Sequence, residues 1–304
     1  MKLEGIHHVT CITGDAPRNV DYYTGVLGLR LVKKSVNQDD PTVYHLFYAD
    51  EKGTPGSDIT FFEYPGAAPG RAGAGMVHTV VWRVGSTDAL DFWAERLGVE
   101  RDGDIVRFAD PEGLQHELVV SRVPDEPLIA DHPEIPHELA LQGFEGVRAY
   151  ARNPELRTEP FLDALGFERQ EGGQHWETRG ELRGGWIEYE DTPEDQGTPG
   201  GGTVHHVAWA STMDEHEAWQ HRVAEAGGRP TQVIDRFWFR SIYFREPSGV
   251  LFEIATLGPG FATDEDPAHL GETLILPPDF EHLRAQVEPQ LTPLPNPREN
   301  WTRA

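Results

Sequence analysis

A chain of 304 residues with 38% hydrophobic and 10% aromatic side chains is long enough for two ordinary domains and apolar enough to fold into them. Its net charge of −25 works against nucleic acid or an anionic membrane as partner, since both require basic patches. No run approaches the ~18 apolar residues of a membrane helix, the opening MKLEGIHHVT has no signal-peptide pattern, and Cys11 alone cannot form an intrachain disulfide, so a cytoplasmic protein is expected.

The first element is a strand in IHHVTCIT, Ile6 to Thr13. A helix follows, with a polar start at Asp15, Pro17 in its first turn, one face formed by Val20, Tyr23 and Leu27, and a glycine stop at Gly28. The strand-like YHLFYAD, Tyr44 to Asp50, comes next. The same order then recurs. The strand VHTVVWRV from Val77 leads to a helix with Leu90, Trp93 and Leu97, ended by Gly98, and then to DIVRFAD from Asp104. The strand GVRAYAR from Gly146 leads to a helix with Phe161 and Leu165, ended by Gly166. The strand VHHVAWAS from Val204 leads to a helix with Trp219 and Val223, ended by Gly227, and then to SIYFREP from Ser241. Two later hairpins repeat more closely: FADPEGLQHELVV (Phe108 to Val120) and FREPSGVLFEIAT (Phe244 to Thr256). Each has an acid-Pro-x-Gly turn and a glutamate six residues after the proline.

The repeated unit is strand, helix, three strands, in four modules over roughly 5–66, 75–123, 143–190 and 202–257. The expected class is α+β. The expected division is an N-terminal half (1–123), a Pro- and acid-rich linker (124–141), a C-terminal half (142–257) and a tail (258–304).

Placing IHHV, VHTV and VHHV in register puts His7, His78 and His205 in one column and His8, Thr79 and His206 in the next. Side chains alternate along a strand, so the two histidines of each pair face opposite ways unless a bulge intervenes. Only modules 1 and 4 carry histidine in the second column, which makes His8 and His206 the candidate metal ligands. Glu253, an acid in the otherwise apolar strand GVLFEIAT, is the best third ligand, because an unpaired buried carboxylate there would be costly. Glu117 holds the matching place in module 2, where no second-column histidine exists, and reads as a hydrogen-bonded glutamate. Glu63 in ITFFEYP is a possible fourth ligand. The count decides the chemistry. Two histidines and one carboxylate leave three facial positions open on Fe(II), as an oxygenase needs. A second carboxylate suits Lewis-acid isomerisation of the glyoxalase kind.

The plan resembles the vicinal oxygen chelate superfamily (glyoxalase, bleomycin resistance and extradiol dioxygenase proteins) over residues 5–257. Within it, several stretches resemble the hydroquinone-type ring-cleaving dioxygenases: His7-His8 followed by Thr10, YHLFYADEKGTPG from Tyr44, HHVAW from His205, YFREPSGVLFEIA from Tyr243, and LGPGFATDEDPAHLGETLILPP from Leu257. The last is the most discriminating, since the generic fold does not require it. The resemblance implies two half-barrel cups, with modules 1 and 4 paired around a metal and 2 paired with 3. It implies iron on His8, His206 and Glu253, with His7, Thr10, His205 and Tyr243 around it. It also implies an arginine upstream of the tyrosine. Arg236 and Arg240 both qualify, and Arg236 is preferred.

The expected function is therefore an Fe(II)-dependent, extradiol-type dioxygenase, with Mn(II) as the alternative metal. It would act with O₂ on a hydroquinone or related dihydroxyaromatic, and family habit implies a homodimer or larger. A glyoxalase-like lyase or isomerase is the alternative, and a metal-free binding protein of the antibiotic-sequestering type is a third. Only four of the 26 basic residues are lysine (Lys2, Lys33, Lys34 and Lys52). This diffusely acidic, lysine-poor composition fits a high-salt cytoplasm, where a Debye length of ~3 Å at 1 M screens self-repulsion. A merely acidic protein from a GC-rich genome is the plainer reading.

Overall fold

The computed structural model describes residues 1–152, 158–170, 174–193, 195–299 and 301. Module 1 contains β1 (Ile6–Thr13), α1 (Ala16–Val20), β2 (Arg30–Asn37), β3 (Asp40–Ala49) and β4 (Asp58–Glu63). Module 2 contains β5 (Met76–Val84), α2 (Thr87–Leu97), β6 (Arg101–Asp102), β7 (Ile105–Ala109) and β8 (Gln115–Val120). Module 3 contains β9 (Phe144–Tyr150), α3 (Thr158–Leu165), β10 (Glu168–Arg169), β11 (His175–Arg179) and β12 (Gly184–Glu190). Module 4 contains β13 (Thr203–Ser211), α4 (His216–Glu225), β14 (Ile234–Asp235), β15 (Arg240–Arg245) and β16 (Leu251–Thr256).

The local signals act as their chemistry dictates. Ser86 caps α2 by accepting from Ala89 N at 3.2 Å, and Gly98 ends it at φ 67°. Module 1 departs from expectation. Its helix keeps an α ladder for five residues and then widens into a π segment over Asp21–Val26. This segment carries Tyr23 into the core, where its hydroxyl donates to Asp110 Oδ2 at 3.0 Å.

The strands form two eight-stranded sheets, ordered β14-β15-β16-β13-β1-β4-β3-β2 and β10-β11-β12-β9-β5-β8-β7-β6. Modules 1 and 4 thus share one sheet and modules 2 and 3 the other. In each module the first strand lies parallel to the last, and the two modules of a sheet join through antiparallel first strands, β1 with β13 and β5 with β9. β13 approaches β5 where the sheets meet, and one apolar core runs between them through Val9, Val80, Trp82, Val147 and Trp209.

The first sheet curls into a half-barrel, and its strands β1 and β2 are buried on both faces. A second apolar cluster, including Val32, Phe47, Trp238, Phe239, Phe261 and Leu270, lines the inside of this cup. The stretch after β16 has a structural task here. Lys33 is fully buried; its ammonium donates to Asp264 at 2.8 Å and also pairs with Glu265. Trp238 Nε1 donates to the same Asp264 at 3.0 Å, and Ile275 N donates to Lys34 O at 2.9 Å. The post-module segment therefore ties the outer strand β2 to the cup wall. Among the described residues no helix is long and apolar enough to cross a membrane.

Candidate metal centre

Three adjacent strands of the first sheet, β1, β13 and β16, carry His8, His206 and Glu253. The register brings them together: His8 pairs with Ala208, Ala208 with Glu253, and Thr10 with His206. His206 Nε2 and His8 Nε2 lie 2.9 and 3.2 Å from Glu253 Oε2 and 3.3 Å from each other. All three side chains are buried, Glu253 completely. Apart from these two imidazoles, neither Glu253 oxygen has a hydrogen-bond partner among the described residues. Burial alone would raise the Glu253 carboxyl, but the His8 and His206 imidazoles against it hold it well below the usual carboxylate range. A buried carboxylate and two ring nitrogens converging on one point are the donor set a shared cation takes. Among the described residues these three form the one such cluster of His, Cys, Asp and Glu.

The expectation that His7 and His205 face away from their neighbours is corrected. Bulges interrupt the β1–β13 ladder between Ile6 and His8 and between Thr10 and Cys11, leaving His7 and His205 as the extra residues. Each turns back to its neighbour. His7 Nδ1 lies 2.9 Å from His8 Nδ1, and His205 Nδ1 lies 2.7 Å from His206 Nδ1.

The first pair fixes its own tautomers. His7 Nε2 is 3.0 Å from the Thr256 carbonyl, which can only accept, so Nε2 carries the proton. Burial, then the neighbouring His8 ring, lowers His7 to about 3, so its ring is neutral and Nδ1 is an acceptor. His8 Nδ1 must then donate, leaving His8 Nε2 as a bare lone pair aimed at the cluster. Orientation of a metal-binding imidazole through its other nitrogen is the usual outer-shell arrangement.

The remaining predicted residues fall around this cluster. Thr10 is buried and accepts from Thr60 Oγ1 at 2.9 Å. Tyr243 pairs with Glu253 across β15–β16, and its ring lies 5.7 Å from that of His206. Burial and the Glu253 charge push its phenol up. Arg236 Nε donates to the Tyr243 hydroxyl at 3.4 Å, while its other nitrogens hold both Asp39 oxygens at 3.1 and 2.9 Å. Arg240 is exposed and lines no part of this cavity. Arg236 sits on a strained turn, with Phe237 at φ 73°. Glu63 lies outside the cluster; its Oε1 accepts from Ala16 N at 3.2 Å and Thr292 Oγ1 at 3.1 Å.

A cavity of about 30 Å³ opens beside the cluster, lined by His8, His206, Arg236, Trp238, Phe239 and Tyr243 together with His45 and the β2–β3 turn. His45 and Asp39 were not singled out from sequence. His45 sits inside YHLFYAD on the same strand face as Phe47, an alternation that marks it as inward-facing.

The second sheet shows what the arrangement becomes without histidines. Val81 pairs with Glu117 and Thr79 with Arg148, as Ala208 pairs with Glu253 and His206 with Thr10. Thr79 and Gly146 thus stand where the first sheet has His206 and His8. Glu117 is buried, but guanidinium groups of Arg107 (3.1 Å) and Arg148 (3.0 Å) neutralise it. The carboxylate persists with an internal cation in place of ligands.

A family profile described as "Glyoxalase/Bleomycin resistance protein/Dioxygenase superfamily" matches residues 5–118 and 158–254. The chain is 38% identical over 327 residues to a Bacillus subtilis (strain 168) protein provisionally named ring-cleaving dioxygenase MhqA, covering 97% of this chain and 100% of that one. It is 32% identical over 309 residues to the chlorohydroquinone/hydroquinone 1,2-dioxygenase of Sphingobium indicum, covering 94% and 95%. A crystal structure from B. subtilis subsp. subtilis str. 168, provisionally named a dioxygenase, superposes with a TM-score of 0.88 at 40% identity, covering 96% of this chain and 98% of that one. Glyoxalase I from Zea mays shares the fold at a TM-score of 0.52 and 17% identity, covering 83% and 92%.

Proposed function

Because the chain belongs to the Glyoxalase/Bleomycin resistance protein/Dioxygenase superfamily, we propose that its buried His8–His206–Glu253 centre is that of a metal-dependent ring-cleaving dioxygenase acting on a hydroquinone or related dihydroxyaromatic. The observation that carries this reading is the buried Glu253 carboxylate facing two imidazole nitrogens, with no fourth side-chain ligand among the described residues. Glu63, the group a four-ligand lyase would need, is engaged at the start of α1. His8, His206 and Glu253 would hold a ferrous ion, which when bound would supply the activation of O₂ and of a ring hydroxyl that such chemistry requires.

The protein's own residues have separable tasks in this scheme. His8 and His206 present Nε2, and Glu253 presents Oε2. His7 fixes the tautomer of His8 from the Thr256 carbonyl, and His205 braces His206 from its own bulge, Nδ1 to Nδ1 at 2.7 Å. Phe239 packs against both His7 (5.2 Å) and His8 (5.3 Å) and excludes water from the ligand rings. Tyr243, with Arg236 against its hydroxyl, would hold and pass a ring-hydroxyl proton. Arg236 is kept charged and in place by Asp39.

The test is oxygen uptake. Protein loaded anaerobically with Fe(II) is mixed with oxygenated hydroquinone. Uptake stoichiometric with substrate, and abolished in Glu253→Ala, is expected. No uptake with iron demonstrably bound would transfer the site to a lyase or isomerase.

A further inference from the structure

His45 lies on β3, two strands from β1 in the same curled sheet. Its ring is held between Phe47, with centroids 3.9 Å apart, and Phe62, at 4.4 Å. Nε2 stands 2.9 Å from Thr60 Oγ1. Thr60 donates its hydroxyl proton to Thr10 at 2.9 Å, so it can only accept from His45. Nε2 therefore carries the ring's proton and Nδ1 keeps a free lone pair. Burial pushes His45 well below the ordinary imidazole range, so the ring stays neutral in this form.

The same ring lines the cavity shared by His8 and His206. Adjacent strands are about 4.8 Å apart, which puts β3 roughly 10 Å from β1 at the backbone. Side chains reaching inward from both strands fill most of that gap and leave the cavity of about 30 Å³, so a ring enters as the side chains of the facing wall move apart. Two other acceptors at this wall are already engaged: Asn37 Oδ1 takes Asp39 N at 2.9 Å, and Asp39 takes Arg236.

We propose that His45 is a specificity-determining residue, whose Nδ1 accepts a hydrogen bond from the second ring hydroxyl of the substrate, the one turned away from His8 and His206. This rests on the dioxygenase reading of the centre. The Phe47 and Phe62 contacts fix the ring plane, so an analogue without a donor at that position leaves the nitrogen unpaired beside two phenylalanine rings. The site thereby selects diols over mono-phenols of similar shape.

The experiment is calorimetry under argon on the full chain loaded with zinc, which removes turnover. The probes are hydroquinone and 4-methoxyphenol, which lacks the second donor. Wild-type protein is expected to prefer hydroquinone by about tenfold or more, the equivalent of one well-made hydrogen bond. In His45→Phe the preference should fall to within about twofold, with 4-methoxyphenol affinity unchanged. Thr60→Val, which frees the His45 tautomer, should lower the preference severalfold and serves if the first variant does not fold. A preference that persists in both variants, or equal weakening of both ligands, would overturn the proposal and leave the metal centre's assignment standing. If neither phenol binds wild-type protein, the proposal and the dioxygenase reading fail together.

Discussion

Replacing His7 isolates the device that aims His8. His7 makes two buried polar contacts, from Nε2 to the Thr256 carbonyl at 3.0 Å and between its Nδ1 and His8 Nδ1 at 2.9 Å. His7→Phe keeps the aromatic packing against Phe239 but leaves the His8 Nδ1 proton without an acceptor. Each bond contributes about 0.5–1.5 kcal/mol net. Loss of an outer-shell partner of a metal-binding histidine typically costs 10–100-fold in affinity, or about 1.4–2.8 kcal/mol, and the two figures agree. The assay is zinc competition against a colorimetric chelator, with thermal melts to verify folding. His7→Gln is the matching control, because its amide offers a donor toward Thr256 and an acceptor toward His8, and it should recover much of the affinity. A His7→Phe protein that binds zinc within twofold of wild type would refute the tautomer argument.

Three further expectations follow from the same contacts. Arg148→Met leaves the buried Glu117 with Arg107 alone, and should destabilise the fold by about 3 kcal/mol in denaturant melts while zinc affinity stays unchanged. Arg236→Ala should lower kcat/KM by tenfold or more, and Arg240→Ala by less than twofold, because only Arg236 reaches Tyr243 and the cavity. Burial raises the Glu246 carboxyl from its ordinary 4.5 to about 7 despite its bonds from Ser248 N and Val250 N. A raised acid favours the protonated form in the folded chain. Its stabilising share is therefore complete below pH 4.5 and lost as pH rises through 7, a swing of about 3 kcal/mol. Wild-type stability should fall relative to Glu246→Gln across that window, and parallel profiles would contradict it.

The modular plan was legible because each signal is local. Strand periodicity, helix-stopping glycines such as Gly98, and the acid-Pro-x-Gly turns repeat at fixed places, and aligning the repeats isolates His8 and His206 as the unusual column. The pairing of module 1 with module 4 came from the family resemblance, since strand order is a long-range property that periodicity does not encode. The roles of His7 and His205 were hidden by the bulges. An extra residue changes which way a side chain faces, and nothing in IHHV or VHHV marks it except the repetition of the pair itself. Glu63 looked like a ligand because an acid at a strand end has no sequence sign that it will instead meet the first amides of a helix. Arg236 was preferred from the resemblance and His45 faces inward by alternation, but their contacts depend on partners more than a hundred residues and fifteen residues away, respectively, which only the three-dimensional structure shows.

The most direct test of the central claim follows the oxygen atoms. Fe(II)-loaded protein is supplied with hydroquinone under ¹⁸O₂, and the product mass is measured. Ring cleavage by this centre predicts one ring-opened product carrying both atoms of a single O₂, and none from Glu253→Ala. A quinone without ¹⁸O, formed equally by wild type and variant, would contradict the account.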